Sequence, residues 1–274
     1  MPHDPYKALY LHLPFCVKRC AYCDFATAAV PAGAPEIEAY VEDLSLQIRR
    51  KAKEGELGAV ETVYLGGGTP SHVGLAGLSM LLYTLSLSMH LTDEVECTME
   101  ANPESLTERM VRDIWALGVN RLSIGVQSFD DDVLRTLGRA HSSDDARRAI
   151  EAARTRFENV SVDLMCGIPG QSAEGFEASV REAVRLGATH VSVYPLTIEP
   201  HTPFDAAVLA GELEEPDDDV EAAHMQIAAR VLDSEGFERA TRWPATPAPA
   251  LHAATTSRTG RACPTWVWAV RLPR

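Results

Sequence analysis

Cys16, Cys20 and Cys23 constrain this chain more than any other residues in it. They lie in the stretch Tyr10-Leu-His12-Leu-Pro14-Phe15-Cys16-Val-Lys-Arg-Cys20-Ala-Tyr22-Cys23. The spacing is C-x3-C-x2-C, and it follows an apolar run at 8–13 that reads as a strand. Thiolates this close in sequence reach one metal centre only if a loop wraps around it. Iron–sulfur clusters are held by such loops, and a four-iron cluster ordinarily takes four thiolates. Three thiolates leave one iron open, which suits a catalyst because a substrate can occupy that position. The alternative is a zinc knuckle or a redox thiol pair. Structural zinc takes four ligands, often as paired C-x2-C units, and no second pair is present.

The remaining composition narrows the class. A chain of 274 residues has room for one large domain and a fragment. Its formal net charge of −14 argues against a nucleic-acid-binding surface, which needs a basic face. Cys97 and Cys166 fall on expected strands, where a buried free thiol is the simplest reading. With Cys263 and the three of the loop they make six cysteines used as in a reducing compartment, so the expected localisation is cytoplasmic. No signal peptide is recognisable, and the apolar segment 77–91 is too short and too serine-rich to span a bilayer.

Periodicity sets the architecture. Helical spacing recurs at 37–53, 75–89, 107–117, 130–137, 144–156, 173–186 and 217–235. Thr107 is placed to cap its helix and Gly118 to stop it, while the mixed charges of 144–156 suggest a solvated face. β-Rich runs at 60–65, 95–100, 121–126, 160–165 and 190–195 join 8–13 to make six strands alternating with helices. That alternation demands a parallel sheet. The candidate polar residues fall at or just after strand ends, as in a β/α barrel, whereas an open doubly wound sheet gathers ligands at one switch point. Gly66-Gly67-Gly68-Thr69-Pro70 closes the second strand, and its glycines would let backbone N–H groups approach a ligand. Glu100, at the end of the third, is placed to accept hydrogen bonds from the hydroxyls of a ligand. Asp163 sits inside an apolar strand, where a carboxylate is costly unless bonded, so it is either functional or held by a structural hydrogen bond.

These motifs together resemble the radical S-adenosylmethionine superfamily. Within it they resemble the oxygen-independent coproporphyrinogen III oxidase family and its heme-chaperone branch. The likeness spans about residues 8–238 and implies a partial (β/α)6 barrel. It also implies that Cys16, Cys20 and Cys23 ligate a 4Fe-4S cluster whose open iron is chelated by the amino and carboxylate groups of S-adenosylmethionine. An electron from the cluster then cleaves the sulfonium to a 5′-deoxyadenosyl radical. Tyr10, Tyr22, Gly67, Gly68, Thr69, Glu100, Gln127, Arg139, Asp163 and Thr197 match family positions that bind S-adenosylmethionine. The glycine segment meets its amino group, and Arg139 is matched by counting twelve residues past Gln127. No catalytic residue is implied beyond these.

The resemblance leaves the reaction class open. The oxidase branch removes two propionate carboxyls from coproporphyrinogen III. It carries an N-terminal extension, absent here, and a further cysteine where this chain has Phe25. The stretch Leu196-Thr197-Ile198-Glu199-Pro200-His201-Thr202-Pro203-Phe204 is similar instead to the heme-chaperone branch, which binds heme and delivers it to partner proteins. Heme or a porphyrin, a heme-accepting protein and an electron donor are the implied partners. A remnant without carrier function is a third reading.

Residues 1–205 are expected to form the barrel and 206–239 to begin the family's C-terminal region, leaving 240–274 as an aperiodic tail expected to be unstructured. After Gly236-Phe237-Glu238-Arg239 the family continues with Tyr-Glu-Val, a His-Asn-x-x-Tyr-Trp motif and Leu-Gly-x-Gly. None of these is present in frame. With third bases chosen freely, 240–246 can be written GCT ACG AGG TGG CCA GCT ACG, which two bases out of register reads Tyr-Glu-Val-Ala-Ser-Tyr. The same shift turns 254–260 into His-Asn-Ile-Ala-Tyr-Trp and 265–269 into Leu-Gly-Leu-Gly. A frameshift near Arg239 is therefore expected, and His252 is not given the heme-ligand role of the family's His-Asn histidine.

Overall fold

The computed structural model describes residues 5–240 and 266–269, the side chains of 239, 240 and 266–269 excepted. Strand β1 (Tyr6–Leu13) leads into two short paired strands, β2 (Phe15–Cys16) and β3 (Ala28–Ala29), which frame the cysteine loop. There follow α1 (Pro35–Lys53), β4 (Leu57–Gly67), α2 (Gly74–Ser88), β5 (Leu91–Ala101), α3 (Glu108–Ala116) and β6 (Arg121–Gln127). Next come α4 (Asp131–Thr136), α5 (Ser143–Arg154), β7 (Asn159–Cys166), α6 (Ala173–Arg185) and β8 (His190–Pro195). Strands β1, β4, β5, β6, β7 and β8 are neighbours in that order, and every pair is parallel. A sheet whose strands follow chain order, each return made by a helix, is the wall of a partial β/α barrel.

The wall has two chemically different faces. Leu11, Leu13, Val63, Leu65, Met99, Leu122, Ile124, Val160, Val162, Val191 and Val193 are buried in one core with the helix residues Leu78, Leu81, Ile114, Ala149, Ile150, Phe176 and Val180. Alternate residues point the other way, because successive side chains of a strand do. Register aligns them across the sheet: Tyr10 with Tyr64, Tyr64 with Thr98, Glu100 with Ser123, Ser123 with Ser161, and Asp163 with Ser192. Parallel strands are ordinarily apolar on both faces. A polar inner face marks the lumen as a place for a ligand.

Helix starts are set by side-chain caps. Thr107 Oγ1 accepts from Met110 N at 3.2 Å, and Ser142 with Asp145 forms a reciprocal capping box on α5. The solvated face expected for 144–156 is only part of that helix, since Ala146, Ala149, Ile150 and Ala153 are buried in the core. Small side chains let α5 lie close to the sheet without breaking its charged outer stripe.

Two elements depart from the expected pattern. Helix α7 (Pro203–Leu209) was not anticipated from its proline-bounded sequence. Thr202 caps it by accepting from Asp205 N at 3.2 Å, and Pro203 fits the first turn, where an N–H has no helical partner. After α8 (Asp218–Ser234), β9 (Glu238–Ala240) and β10 (Trp266–Ala269) extend the sheet antiparallel, β10 pairing with both β8 and β9. Within the tail expected to be unstructured, Ala240 ends β9 and residues 266–269 form β10. Residues 241–265 and 270–274, with Cys263, His252 and most of the shifted-frame readings at 240–246 and 254–260, lie outside the described residues.

Leu122, fully buried near the start of β6, should cost about 2–5 kcal/mol of stability when replaced by alanine. Tyr83 on α2, 62 % exposed, should cost within about 0.5 kcal/mol when replaced by serine. Urea denaturation of both variants checks the assignment of inner and outer surfaces.

Candidate cluster and cofactor site

The cysteine loop is tied down at several points. Ala28 N donates to Pro14 O at 2.7 Å and Val30 N to Cys16 O at 3.0 Å, closing its base. Ala21 N donates to Leu137 O and Phe204 N to Ala21 O, both at 3.1 Å, so its tip is pinned between α4 and α7. Tyr22 packs its ring 6.5 Å from Phe204, against a second small core that includes Leu137, Met165 and Ile168. Arg19 Nε donates to Cys23 O at 3.1 Å, and a His12 ring nitrogen lies 3.0 Å from Ala26 O. Cys16, Cys20 and Cys23 are all free and half-exposed on this framework.

One chain of hydrogen bonds connects two of the thiols through the strand ends. Thr69 Oγ1 approaches Cys16 Sγ at 3.5 Å and accepts from Asn102 Nδ2 at 2.9 Å. Asn102 Oδ1 accepts from Arg139 Nη2 at 2.8 Å, and Arg139 Nη1 donates to Cys20 Sγ at 3.3 Å. The β4 end, the β5 end and the loop after α4 thereby converge on the cysteine loop. Burial opposes the charge of Arg139, but Tyr22, Cys20 and Glu104 hold its pKa above the ordinary range. Burial pushes the Cys16 thiol up while Thr69 pulls it down, and burial likewise raises Cys23. The effects of Cys20 on both mark the three sulfurs as electrostatic neighbours.

This donor set fits a cluster held by thiolates. Sulfurs that already receive donors from Thr69 and Arg139 are prepared for the negative charge of bound thiolates.

The glycine segment acts differently from expectation. Gly67 N donates to Glu100 Oε2 at 3.1 Å, Gly68 N to Leu13 O at 2.9 Å, and Thr69 N to Phe15 O at 2.8 Å. These N–H groups are consumed inside the protein rather than offered to a ligand. The glycines are required by close approach of the chain to itself. A Cβ on Gly67, where φ is 115°, would stand 2.4 Å from the His12 ring, and one on Gly68 would stand 2.8 Å from Phe15 O.

Glu100 lies deep in the polar face, where Tyr64 Oη donates to its Oε1 at 2.7 Å. Burial pushes its carboxyl up to about 7, against the hydrogen bonds from Tyr64 and Gly67 that lower it, with Asp163 adding a further rise. Asp163 is held as the strand argument required, Ser123 Oγ lying 3.0 and 3.3 Å from its two oxygens. Burial raises its pKa against the bonds from Ser123 and Ser192. Tyr10 stacks on Tyr64 with ring centroids 6.0 Å apart, and burial, with Glu100 second, lifts its hydroxyl to about 12. Gln127 ends β6 at φ 66°, beyond a break in register between Gly125 and Gln127. Such a backbone is costly for a side-chain-bearing residue and is found where a function needs it. Thr197 follows β8 by two residues, at the same end of the sheet.

Tyr64, Asn102 and Ser123 belong to this site and were not singled out from sequence. Tyr64 and Ser123 had a readable signal, since each breaks an apolar strand at the same alternation as Glu100 or Asp163.

The raised pKa of Glu100 has a direction that can be measured. The folded chain keeps a proton that the unfolded chain releases near 4.5, so stability falls as pH rises toward 7. His190, lowered to about 4 by burial and then by Arg121, works in the opposite sense, which makes the difference between proteins the useful quantity. The stability of the wild type relative to Glu100→Gln should fall by about 1–3 kcal/mol from about pH 5 to about pH 8. Urea midpoints across that range decide; a difference flat with pH would refute a protonated Glu100.

Comparison with known proteins agrees with this geometry. The sequence pattern of the radical SAM superfamily matches residues 10–183. The heme chaperone HemW of Mycobacterium tuberculosis is 39% identical over 239 residues, covering 86% of this chain and 61% of that protein. HemW of Escherichia coli K12 is 36% identical over 238 residues, again 86% and 61%. The chain thus spans about three-fifths of the length of these curated relatives. Coproporphyrinogen III oxidase (HemN) from Escherichia coli, described as a radical SAM enzyme, superimposes with a TM-score of 0.75 at 25% identity over 86% of this chain and 54% of its own. With a cysteine loop, a six-stranded parallel wall and this sequence match, the chain belongs to the radical SAM superfamily.

Proposed function

We propose that this chain binds a 4Fe-4S cluster through Cys16, Cys20 and Cys23, binds S-adenosylmethionine beside it, and derives from a cytoplasmic heme chaperone that hands heme to partner proteins. The observation that carries the reading is the chain of contacts from Cys16 through Thr69, Asn102 and Arg139 to Cys20, which couples the thiol loop to the polar lumen. When bound, the cluster supplies an electron and an open iron for the cofactor. The protein's own residues bind and orient. Arg139 and Thr69 hold the sulfurs, Glu100 and Asp163 give the lumen acceptors for hydroxyls and for positive charge, and Tyr10 and Tyr22 wall the site. The N–H groups of the Gly67–Gly68–Thr69 segment are consumed within the protein and Thr69 O accepts from His72 N at 2.9 Å, so an ammonium group would need acceptors such as the lumen carboxylates.

Similarity to HemW proteins over most of the chain supports the chaperone reading. Likeness to the oxidase HemN, at lower identity, supports an alternative in which this is a radical decarboxylase of porphyrin biosynthesis. A remnant that keeps the cluster and has lost the heme site is consistent with the frameshift reading of 240–274, which resequencing codons 230 to 274 and translating all frames would decide.

Anaerobic reconstitution of the full chain should give about four irons per chain, lost when Cys16, Cys20 or Cys23 is replaced by serine. Heme titration followed by absorbance should show binding in the chain carrying the shifted reading frame and little in the chain as it stands. Decarboxylation of coproporphyrinogen III at catalytic rates would overturn the chaperone reading in favour of the oxidase. Reconstitution that survives all three serine replacements would overturn the cluster assignment itself.

A further inference from the structure

Three of the five buried side-chain atoms without a hydrogen bond among the described residues lie beside the site: Arg139 Nε, His141 Nδ1 and Glu104 Oε2. The His141 side chain is completely buried and that of Glu104 is 17 % exposed, with 3.5 Å between Nδ1 and Oε2. The other ring nitrogen of His141, Nε2, lies 3.1 Å from Val126 O. A carbonyl can only accept, so Nε2 carries the hydrogen. Arg139 Nη2 donates to Gly125 O at 2.7 Å. Two consecutive carbonyls of β6 are therefore held by two residues of one loop, where the register breaks and Gln127 is turned to φ 66°.

Glu104 stands behind both holders. It lies on the turn Pro103–Ser105, two residues past the Asn102 that accepts from Arg139. It attracts Arg139 as well as His141. Neither Glu104 nor His141 reaches the sulfurs or the lumen carboxylates by any contact described above. A buried carboxylate and imidazole with incomplete hydrogen bonding are a poor way to fill space, because an apolar pair of similar volume would cost less.

We propose that Glu104 and His141 are positioning residues, a buried brace that holds the Gly125–Gln127 bulge and the Arg139 guanidinium so that Gln127, Asn102 and Arg139 face the cluster and cofactor. The inference rests on the functional reading above for its purpose, though the brace itself is measurable without any ligand. Loss of His141 removes one of the two donors to Val126 O, leaving Ser128 N at 2.8 Å, and loss of the Glu104 charge removes a counter-charge from Arg139.

The test uses the full chain, first free of cluster and then reconstituted, as wild type, His141→Ala, His141→Gln and Glu104→Gln. Amide hydrogen exchange read on peptides covering 121–130 should rise about tenfold in His141→Ala, the scale of one lost buried hydrogen bond. Peptides from the far side of the sheet should be unchanged. His141→Gln, whose amide nitrogen can still donate to Val126 O, should recover much of the protection, and Glu104→Gln should fall between. In the reconstituted proteins the electron paramagnetic resonance signal of the reduced cluster with S-adenosylmethionine should shift in the same order. Exchange in 121–130 unchanged in both His141→Ala and Glu104→Gln would overturn the brace. So would a rise spread evenly over the whole chain, which marks a global loss of stability. If His141→Ala does not fold, His141→Gln and Glu104→Gln decide by the same exchange readout. If the wild type takes up no cluster, the functional reading fails while the exchange comparison still decides the brace.

Discussion

Arg139 is the residue through which the site holds together. Its guanidinium touches a thiol, the Asn102 side chain and a β6 carbonyl, and so ties the cysteine loop to two strand ends. A buried guanidinium without such acceptors would be strongly unfavourable, and removing one partner of a buried charge costs far more than the pair contributes. The positions of the cysteine loop and the strand ends therefore depend on one another. Its two nearest sulfur neighbours in the chain of contacts, Cys20 directly and Cys16 through Asn102 and Thr69, inherit their orientation from it.

The polar lumen follows from a second constraint, that a parallel wall must still bury its outer face. Apolar residues facing the helices secure the sheet, leaving alternate positions free to carry Tyr64, Glu100, Ser123, Asp163 and Ser192. Burial resists the charge of both Glu100 and Asp163 and raises each, and repulsion from Asp163 raises Glu100 further. A ligand bearing positive charge and hydroxyls would relieve both. The site thus stores an electrostatic cost in the absence of ligand, as binding pockets commonly do.

Strand and helix order was legible because apolar periodicity changes sharply between segments here, and the His190–Pro195 strand was read with the same bounds the structure gives it. Helix α7 was not legible, because Thr202-Pro203 reads as a turn until the cap and the packing of Phe204 under Tyr22 make it a helix. The glycine segment was found but misread. Local chemistry shows that glycines allow close approach, and only the fold shows that the approaching group is His12 and the backbone of residues 13–15.

By itself the sequence determined the cysteine spacing, the alternation of elements and the placement of polar residues at strand ends, since these depend only on local order along the chain. Tertiary structure decided which of those residues meet. Arg139 and Cys20 are separated by 119 positions and Tyr64 and Glu100 by 36, and contacts of that range are set by strand register and loop closure, which no local pattern encodes. The raised pKa of Glu100 was decided there too, because it comes from burial, with Asp163 adding to it, rather than from the residue type.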